Sequence, residues 1–379
     1  MRYHGRFEEK DGRNPSKKKR KGKVLLIVLL VFVSIVCLAV AGVLLYANWM
    51  ASKMDIITLP EDTYVYTEES TEPVAEYSTE MTISTESIPI ETTVPVMKAE
   101  DIINILVVGQ AARAGEETRM ADSTILITIN TYSGTVKLSS VLRDAYVSLP
   151  AYAGHGNGRN KFNVCYNLGY VWSGNTTAGA MEMTNICLKD NFGVEIDHNI
   201  EIDFDSFIKV IDYMGGVEIE LTDAEAKYLN DENLYVLYDV QPGKQWLDGM
   251  ASLAYVRMRK AEGDGESDIV RTERQRKFIE ALFEKIRNLN ISDLQSLADS
   301  ILPLITTTMR PADIADILLR VLPLVKDLKI EKGSIPVEGT YWGELKDIYG
   351  DGGSHSILKF DSAQQKKLIR AFTEAEILE

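Results

Sequence analysis

Apolar positions recur along this chain with three different periods, and each period predicts a different kind of element. From Val24 to Tyr46 the run VLLIVLLVFVSIVCLAVAGVLLY contains no charge, and about 20 apolar residues are what a helix needs to cross a hydrocarbon core. It is read as a transmembrane helix. A cleaved signal would have a shorter apolar region and a small-residue site that Ala47-Asn48-Trp49 does not provide. Short apolar runs ending in Gly or polar clusters predict strands at Ile103–Gly109, Ser123–Ile129, Thr135–Val141, His198–Phe204 and Val217–Leu221. Helical spacing predicts helices over residues 178–190, 205–214, 268–289 and 311–327. A helix pair after Asn290, a strand near Ile330–Val337 and an amphipathic helix after Asp361 complete the chain. Strands interleaved with helices imply an α/β (mixed α+β) domain with a central sheet flanked by helices. No linker interrupts residues 101–379, so they are read as one domain.

Charge adds topology. Residues 1–23 are basic, with Lys17, Lys18, Lys19, Arg20, Lys21 and Lys23 directly before the apolar run. The positive-inside rule keeps this tail in the cytoplasm and places everything after Met50 outside. Residues 47–100 form the third segment; from 51 onward Glu and Asp dominate, mixed with Ser, Thr and Pro and with no apolar period. They predict a disordered acidic linker that holds the domain off the membrane. The expected protein is therefore a single-pass cell-membrane protein with its folded domain extracellular. A net charge of −15 argues against nucleic acid as a partner, because nucleic-acid binders concentrate Lys and Arg. Of three cysteines, Cys37 lies in the apolar run, while Cys165 and Cys187 are either a disulfide pair or buried free thiols.

Three groups of residues carry candidate chemistry. Asp122 and, one strand later, Arg143 and Asp144 fall at predicted strand ends, where ligands of open α/β sheets bind. The plainer reading makes Asp122 a turn cap and Arg143–Asp144 a surface pair. In Leu253-Ala-Tyr-Val-Arg-Met-Arg259, an extended chain would put Arg257 and Arg259 on one face, where two guanidinium forks grip adjacent phosphates. Otherwise it is a solvated basic edge. Asp268, Arg271 and Gln275 share one face of a helix and can hold a metal ion and phosphate oxygens together, or Asp268 simply caps the helix. The chain has no G-x-S-x-G, H-E-x-x-H, G-x-x-x-x-G-K-[ST] or C-x-x-C signature. His155 and His198 lack obvious Ser or Cys partners in the sequence, which disfavours a Ser-His or metal-His mechanism.

Taken in order, these pieces resemble one family. Asn104-Ile-Leu-Val-Val-Gly109, Ala121-Asp-Ser-Thr124, Ser139-Ser-Val-Leu-Arg-Asp144 with Val147 and Pro150, and Lys161-Phe-Asn163 resemble successive motifs of the LytR-CpsA-Psr domain. Asp203-Phe-Asp-Ser-Phe207, Met214-Gly-Gly-Val217, Leu247-Asp-Gly249, Ala254-Tyr-Val-Arg-Met-Arg259 and Asp268-Ile-Val-Arg-Thr-Glu-Arg-Gln275 resemble its second half, so the likeness covers about residues 101–285. The resemblance implies a phosphotransferase that moves a phosphate-linked anionic glycopolymer (teichoic acid, capsule or similar) from a polyprenyl-pyrophosphate carrier to peptidoglycan. It also implies an apolar groove for the polyprenyl chain. Carried over by motif, Arg113, Arg143, Arg257, Arg259, Arg271 and Gln275 contact the pyrophosphate. Asp122 and Asp268 bind Mg²⁺ (or Mn²⁺) or act as the base, and Asp122, Arg143 and Asp268 form the catalytic set. One departure is visible: where the family has Gly-x-Asp-x-Arg, this chain has Gly109-Gln-Ala-Ala-Arg113, with Ala111 at the carboxylate position. That motivates the alternatives of a catalytically weak lipid-binding module or a pyrophosphatase without acceptor. Transcriptional regulation, suggested by the family's historical name, is disfavoured by the apolar run and the acidic domain.

Overall fold

The computed structural model describes residues 42, 44–60, 101–110, 119–231, 236, 238–258, 268–288, 291–349 and 352–373. The basic tail, most of the 24–46 apolar run, residues 61–100, Ala111, Arg113 and Arg259 lie outside the described residues. Among the described residues no helix is long and apolar enough to cross a membrane.

In chain order the first elements are helix α1 (residues 44–51), β1 (Asp55–Ile56), β2 (Ile102–Gln110), β3 (Ala121–Asn130), β4 (Thr135–Val141), β5 (Tyr146–Leu149) and β6 (Gly158–Lys161). Then come α2 (Phe162–Trp172), α3 (Thr177–Phe192), β7 (His198–Asp203), α4 (Phe204–Tyr213), β8 (Val217–Leu221), α5 (Asp223–Leu229), β9 (Gly243–Leu247) and α6 (Gly249–Arg257). The rest is α7 (Asp268–Arg287), α8 (Ile291–Ile301), β10 (Thr306–Thr307), α9 (Pro311–Val321), β11 (Lys329–Ile335), β12 (Tyr341–Lys346), β13 (His355–Phe360) and α10 (Ser362–Thr373).

A seven-stranded mixed sheet in the order β1-β10-β7-β2-β3-β4-β11 is the centre of the fold. β2 is flanked by antiparallel β3 and parallel β7, and β11 pairs parallel with β4. The strands β2, β4, β7 and β11 therefore end at one edge of the sheet, where β3 begins. β2 reads as an unbroken apolar run because both its faces are covered. Leu106 and Val108 join the core beneath α2 and α3, while Ile103 and Ile105 join a second core with Ile279, Phe283, Ile317 and Val321 of α7 and α9. A third cluster is built from α4, β8, β9, α6 and Phe278 of α7. Helices α2 and α3 cross closely, since a Cβ on Gly169 would lie 2.4 Å from the Gly179 carbonyl oxygen and 2.5 Å from Met183 Cβ. Cys165 and Cys187 in these helices are buried free thiols, and burial followed by contact with Cys165 pushes the Cys187 thiol up.

Several resembling motifs turn out to be structural. Asp203 and Asp248 are N-caps of α4 and α6, accepting hydrogen bonds from the backbone of Ser206 and Ala251. Gly249 donates to Asp212 Oδ1 at 2.7 Å, and a Cβ there would sit 2.2 Å from the Ile208 carbonyl oxygen.

Three sequence expectations are corrected. Residues 253–257 are helical and not extended: α6 runs to Arg257 and stops at Met258. The Asp248 cap and the helical spacing of buried Ala251, Ala254, Tyr255 and Met258 override the apparent alternation. Helix α9 ends at Val321 instead of 327, because Pro323 has no amide to donate back to Leu319 and its ring crowds that carbonyl, so the chain tightens into a 3-10 turn over Leu322–Leu324. Residues 47–60 are not part of a disordered linker. Ala47 and Ala51 of α1 pack on Ile314 and Ala315 of α9, and β1 pairs with β10.

Candidate active site

The edge where β2, β4 and β7 end carries the candidate site. Leaving β4, the chain places Leu142, Arg143 and Asp144 there, held by the Asn163 amide donating to the Arg143 carbonyl at 3.1 Å and the Phe162 amide donating to the Ala145 carbonyl at 2.9 Å. Ser123 and Thr124 open β3 beside them. Across this edge lies the first part of α7. Arg143, Asp144, Arg271, Thr272 and Gln275 line one cleft, with Ser123, Thr124, Val141, Leu142 and Leu358. Val141, Leu142 and Leu358 are its apolar lining, and Val141 belongs to the core beneath α2 and α3.

Two arginines face each other here with different support. Arg271 is 5% exposed. The Arg143 side chain is more open, at 21%, with Nε 3.7 Å from Asp144 Oδ2. Asp144 also receives Lys161 Nζ at 2.9 Å. Arg143 thus pairs with Asp144, as the plainer reading had it, but within the cleft wall. A carboxylate already engaged by Lys161 and Arg143 is a poor candidate to replace a metal ligand at position 111.

Gln275 donates to the Val256 carbonyl oxygen at 3.3 Å, tying the end of α6 to α7. Arg257 follows directly and is exposed on the rim, its guanidinium carbon 4.5 Å from the Phe204 ring centroid. The period-two argument for Arg257 and Arg259 sharing a face therefore lapses, although Arg257 remains next to the cleft. Asp122 lies within β3, so it is not a turn cap. Ala121 pairs with Gln110 and Ser123 with Gly109, leaving Asp122 as the extra residue of a β-bulge. Bulges reset the side-chain alternation of a strand and occur next to active sites. Asp268 is the first residue of α7, one turn before Arg271. Asp122 is thus next in the chain to cleft-lining Ser123 and Asp268 is one helical turn from cleft-lining Arg271, and both side chains lie outside the described residues. Among the described residues no group of three or more His, Cys, Asp or Glu is placed to hold a metal ion.

Sequence reasoning missed two features. Thr124 is 4% exposed and its hydroxyl has no hydrogen-bond partner among the described residues, although it lines the cleft. The signal was available, because Thr124 closes the Ala121–Thr124 motif. The second is a buried polar network beside β2 and β7. Tyr166 donates to Glu201, whose other oxygen is 3.8 Å from Arg119. Gln110, with its amide nitrogen toward Glu201, donates to it at 2.7 Å and accepts from Arg119 Nε at 3.1 Å. Arg119 also stacks 4.5 Å over the Tyr170 ring. Burial raises the Glu201 carboxyl above its ordinary value, against the opposing pull of Tyr166 and Arg119. A lone Glu between isoleucines in β7 was the only sequence hint.

The second arginine of the α7 motif has a different job. Arg274 is buried and donates to Glu225 Oε1 at 2.8 Å and to the Met258 carbonyl at 3.3 Å. It fastens α7 to α5, which Thr222 and Glu225 open with a capping box.

The chain is similar to known proteins in sequence and in fold. The chain is 28% identical over 195 residues to the Bacillus subtilis polyisoprenyl-teichoic acid–peptidoglycan teichoic acid transferase TagT, covering 50% of this chain and 55% of that protein. It is 31% identical over 184 residues to the Oceanobacillus iheyensis transferase TagU, covering 48% and 51%. To TagU of Bacillus subtilis it is 26% identical over 284 residues, covering 75% and 76%. The matched region thus spans about half the length of the first two relatives. The fold is similar to that of TagT bound to LIIa-WTA, with a TM-score of 0.53 at 22% identity over 76% of this chain and 94% of that one. It is also similar to Bacillus subtilis TagV, with a TM-score of 0.54 at 23% identity over 74% and 98%. The profile of the LytR_cpsA_psr family matches residues 64–366, and on that match this chain belongs to the LytR_cpsA_psr family.

Proposed function

We propose that this chain is a phosphotransferase that moves a phosphate-linked anionic glycopolymer from a polyprenyl-pyrophosphate carrier onto peptidoglycan, outside the cytoplasmic membrane to which the apolar run 24–46 anchors it. The carrying observation is the gathering of Arg143, Arg271 and Gln275 in one cleft. Its relatives TagT and TagU are named as teichoic acid transferases acting between a polyisoprenyl-linked teichoic acid and peptidoglycan, and the same donor and acceptor classes suit this cleft.

In this reading a wall-sugar hydroxyl attacks the phosphorus that carries the glycopolymer. The P–O bond to the distal phosphate breaks, and polyprenyl phosphate leaves with the electron pair. Negative charge grows on that leaving group, so fixed guanidiniums stabilise the transition state more than the ground state. Arg143 and Arg271 provide those charges and Gln275 contributes an amide, with Arg257 as a further contact beside the cleft and Arg259 and Arg113 added on their place in the family motifs alone. Lys161 and Asp144 hold Arg143 in place. Asp122 or Asp268 accepts the hydroxyl proton. Those two aspartates would hold Mg²⁺ (or Mn²⁺), which neutralises phosphate charge when bound.

The test is transfer by the purified full chain with lipid-linked donor, peptidoglycan and Mg²⁺. Glycopolymer joined to peptidoglycan is the expected product, and pyrophosphate cleavage without acceptor would redirect the reading to hydrolysis. A second reading, a module that binds the carrier without turnover, is favoured by Ala111 together with the engagement of Asp144 by Lys161. Donor binding with no product would select it. Replacing Ala111 with Asp separates the two, because a raised Mg²⁺ affinity, read by calorimetry, marks the missing carboxylate as a real loss.

A further inference from the structure

The chain enters its folded domain without slack. Tyr46 ends the uncharged apolar run, and Ala47, the next residue, is already fully buried against α9. Ala47, Met50, Ala51 and Met54 recur at helical spacing and pack on Met309, Ile314, Ala315 and Leu318. Lys53 then pairs with Asp299 of α8 and lies 4.3 Å from the Trp49 ring centroid. β1 pairs with β10, the Ile57 amide donates to the Thr307 carbonyl at 2.8 Å, and Ile57 and Leu59 pack against the core under α2 and α3. On the far side of residues 61–100, Asp101 accepts from the Thr131 amide at 2.9 Å and β2 begins at the sheet centre. The acidic stretch thus joins two points of one sheet and is not the tether between the apolar run and the domain.

The same docking sets where the apolar run meets the surface. Ile56 pairs with Thr307, so the Met54 end of α1 lies by Met309 at the start of α9. Helices α1 and α9 are therefore antiparallel, and the beginning of α1 lies toward the end of α9. Leu44 and Leu45 are 51% and 71% exposed at the first of these ends, and Leu319 and Leu322 are 52% and 60% exposed at the second. Exposed leucines on neighbouring helix ends are an apolar patch of the kind that marks an interaction surface.

We propose that this leucine patch rests in the surface of a lipid bilayer, so that the domain is clamped to the membrane through α1 and α9. The occupant is lipid because the polypeptide entering this corner is itself a charge-free apolar run of membrane-spanning length. The proposal rests on reading that run as a membrane anchor.

The experiment uses the full chain reconstituted into phosphatidylglycerol–phosphatidylethanolamine vesicles. Leu319→Cys and Leu322→Cys are labelled with a polarity-sensitive nitrobenzoxadiazole dye. Leu345→Cys, an exposed site on β12, serves as the water-facing control. Cys165 and Cys187 are buried, and the unsubstituted chain gives the blank for Cys37. Blue-shifted emission and several-fold stronger quenching by lipid-borne nitroxide at 319 and 322 than at 345 are expected. Water-like emission at all three sites in a chain that floats with the vesicles overturns the docked patch while leaving the anchor standing. A chain that does not float with vesicles overturns both.

Discussion

Replacing Arg274 with methionine probes what keeps α7, and with it Arg271 and Gln275, in position. The Arg274 and Glu225 side chains are only 5% and 8% exposed and meet at 2.8 Å. Removing one member of a buried pair leaves an uncompensated charge, at a cost of about 3–5 kcal/mol. Glu225 would keep one hydrogen bond, from the Thr222 amide at 3.0 Å, which puts the expected loss near the lower end, about 3 kcal/mol. That is roughly a hundredfold in the folding equilibrium. Adding Glu225→Gln removes the stranded charge and retains the cap, so the double variant should recover most of the loss. Urea unfolding of the full chain in mild detergent, followed by tryptophan emission, reads both variants against wild type. Donor affinity of the folded fraction should stay near wild type, since Arg274 does not line the cleft. A loss below about 1 kcal/mol, or a double variant no better than the single, would refute the assignment of this pair as the fastening between α5 and α7.

Other expectations follow from the cleft. Arg271→Lys keeps the charge but loses the two-pronged fork, and it should weaken donor binding by about tenfold or more. Arg257→Ala, on the rim, should cost less, and equal losses by titration calorimetry would contradict the placement. Thr124→Val removes a buried hydroxyl without a partner, so it should leave stability unchanged or raise it by up to about 1 kcal/mol while lowering donor affinity. Unaltered donor binding would remove Thr124 from the site. Glu201 has a raised folded pKa against an ordinary value of 4.5. Its ionisation therefore opposes folding: stability is fully present below the unfolded value and is lost as pH rises through the folded one. The thermal midpoint of Glu201→Gln should gain on wild type as pH rises above the ordinary carboxyl value of 4.5, and a pH-independent difference would show that Arg119 and Tyr166 already offset the burial.

Much of the fold was legible because its central strands are covered on both faces. Ile103–Gly109 read as a strand from its apolar run and Thr135–Val141 from partial alternation, and the long spacing in α7 left little ambiguity. Leu253–Arg259 misled because a short segment with alternating side chains fits either period. The cap at Asp248 and packing on the third core chose the helix. Residues 47–60 misled in the other direction. Their partners, α9 and β10, lie near the far end of the chain, and β1 and β10 are only two residues each, too short for any period to show. In the candidate site, Arg143, Arg271 and Gln275 could be named from their motifs, whereas Thr124, though it closes a motif, stood out only once its burial was seen, and Glu201 had no more than its place between two isoleucines.

Motif order and periodicity were enough to name the family, most of the element types and the residues worth testing, because they are local properties of a chain. Which of those residues share a cleft was decided by tertiary structure alone. β3 and β4 bring Ser123 to Arg143, and the packing of α7 across the strand ends brings Arg271 to meet them. Such contacts depend on sheet order and helix docking between segments far apart in the chain, and those are set by the burial of all the cores together.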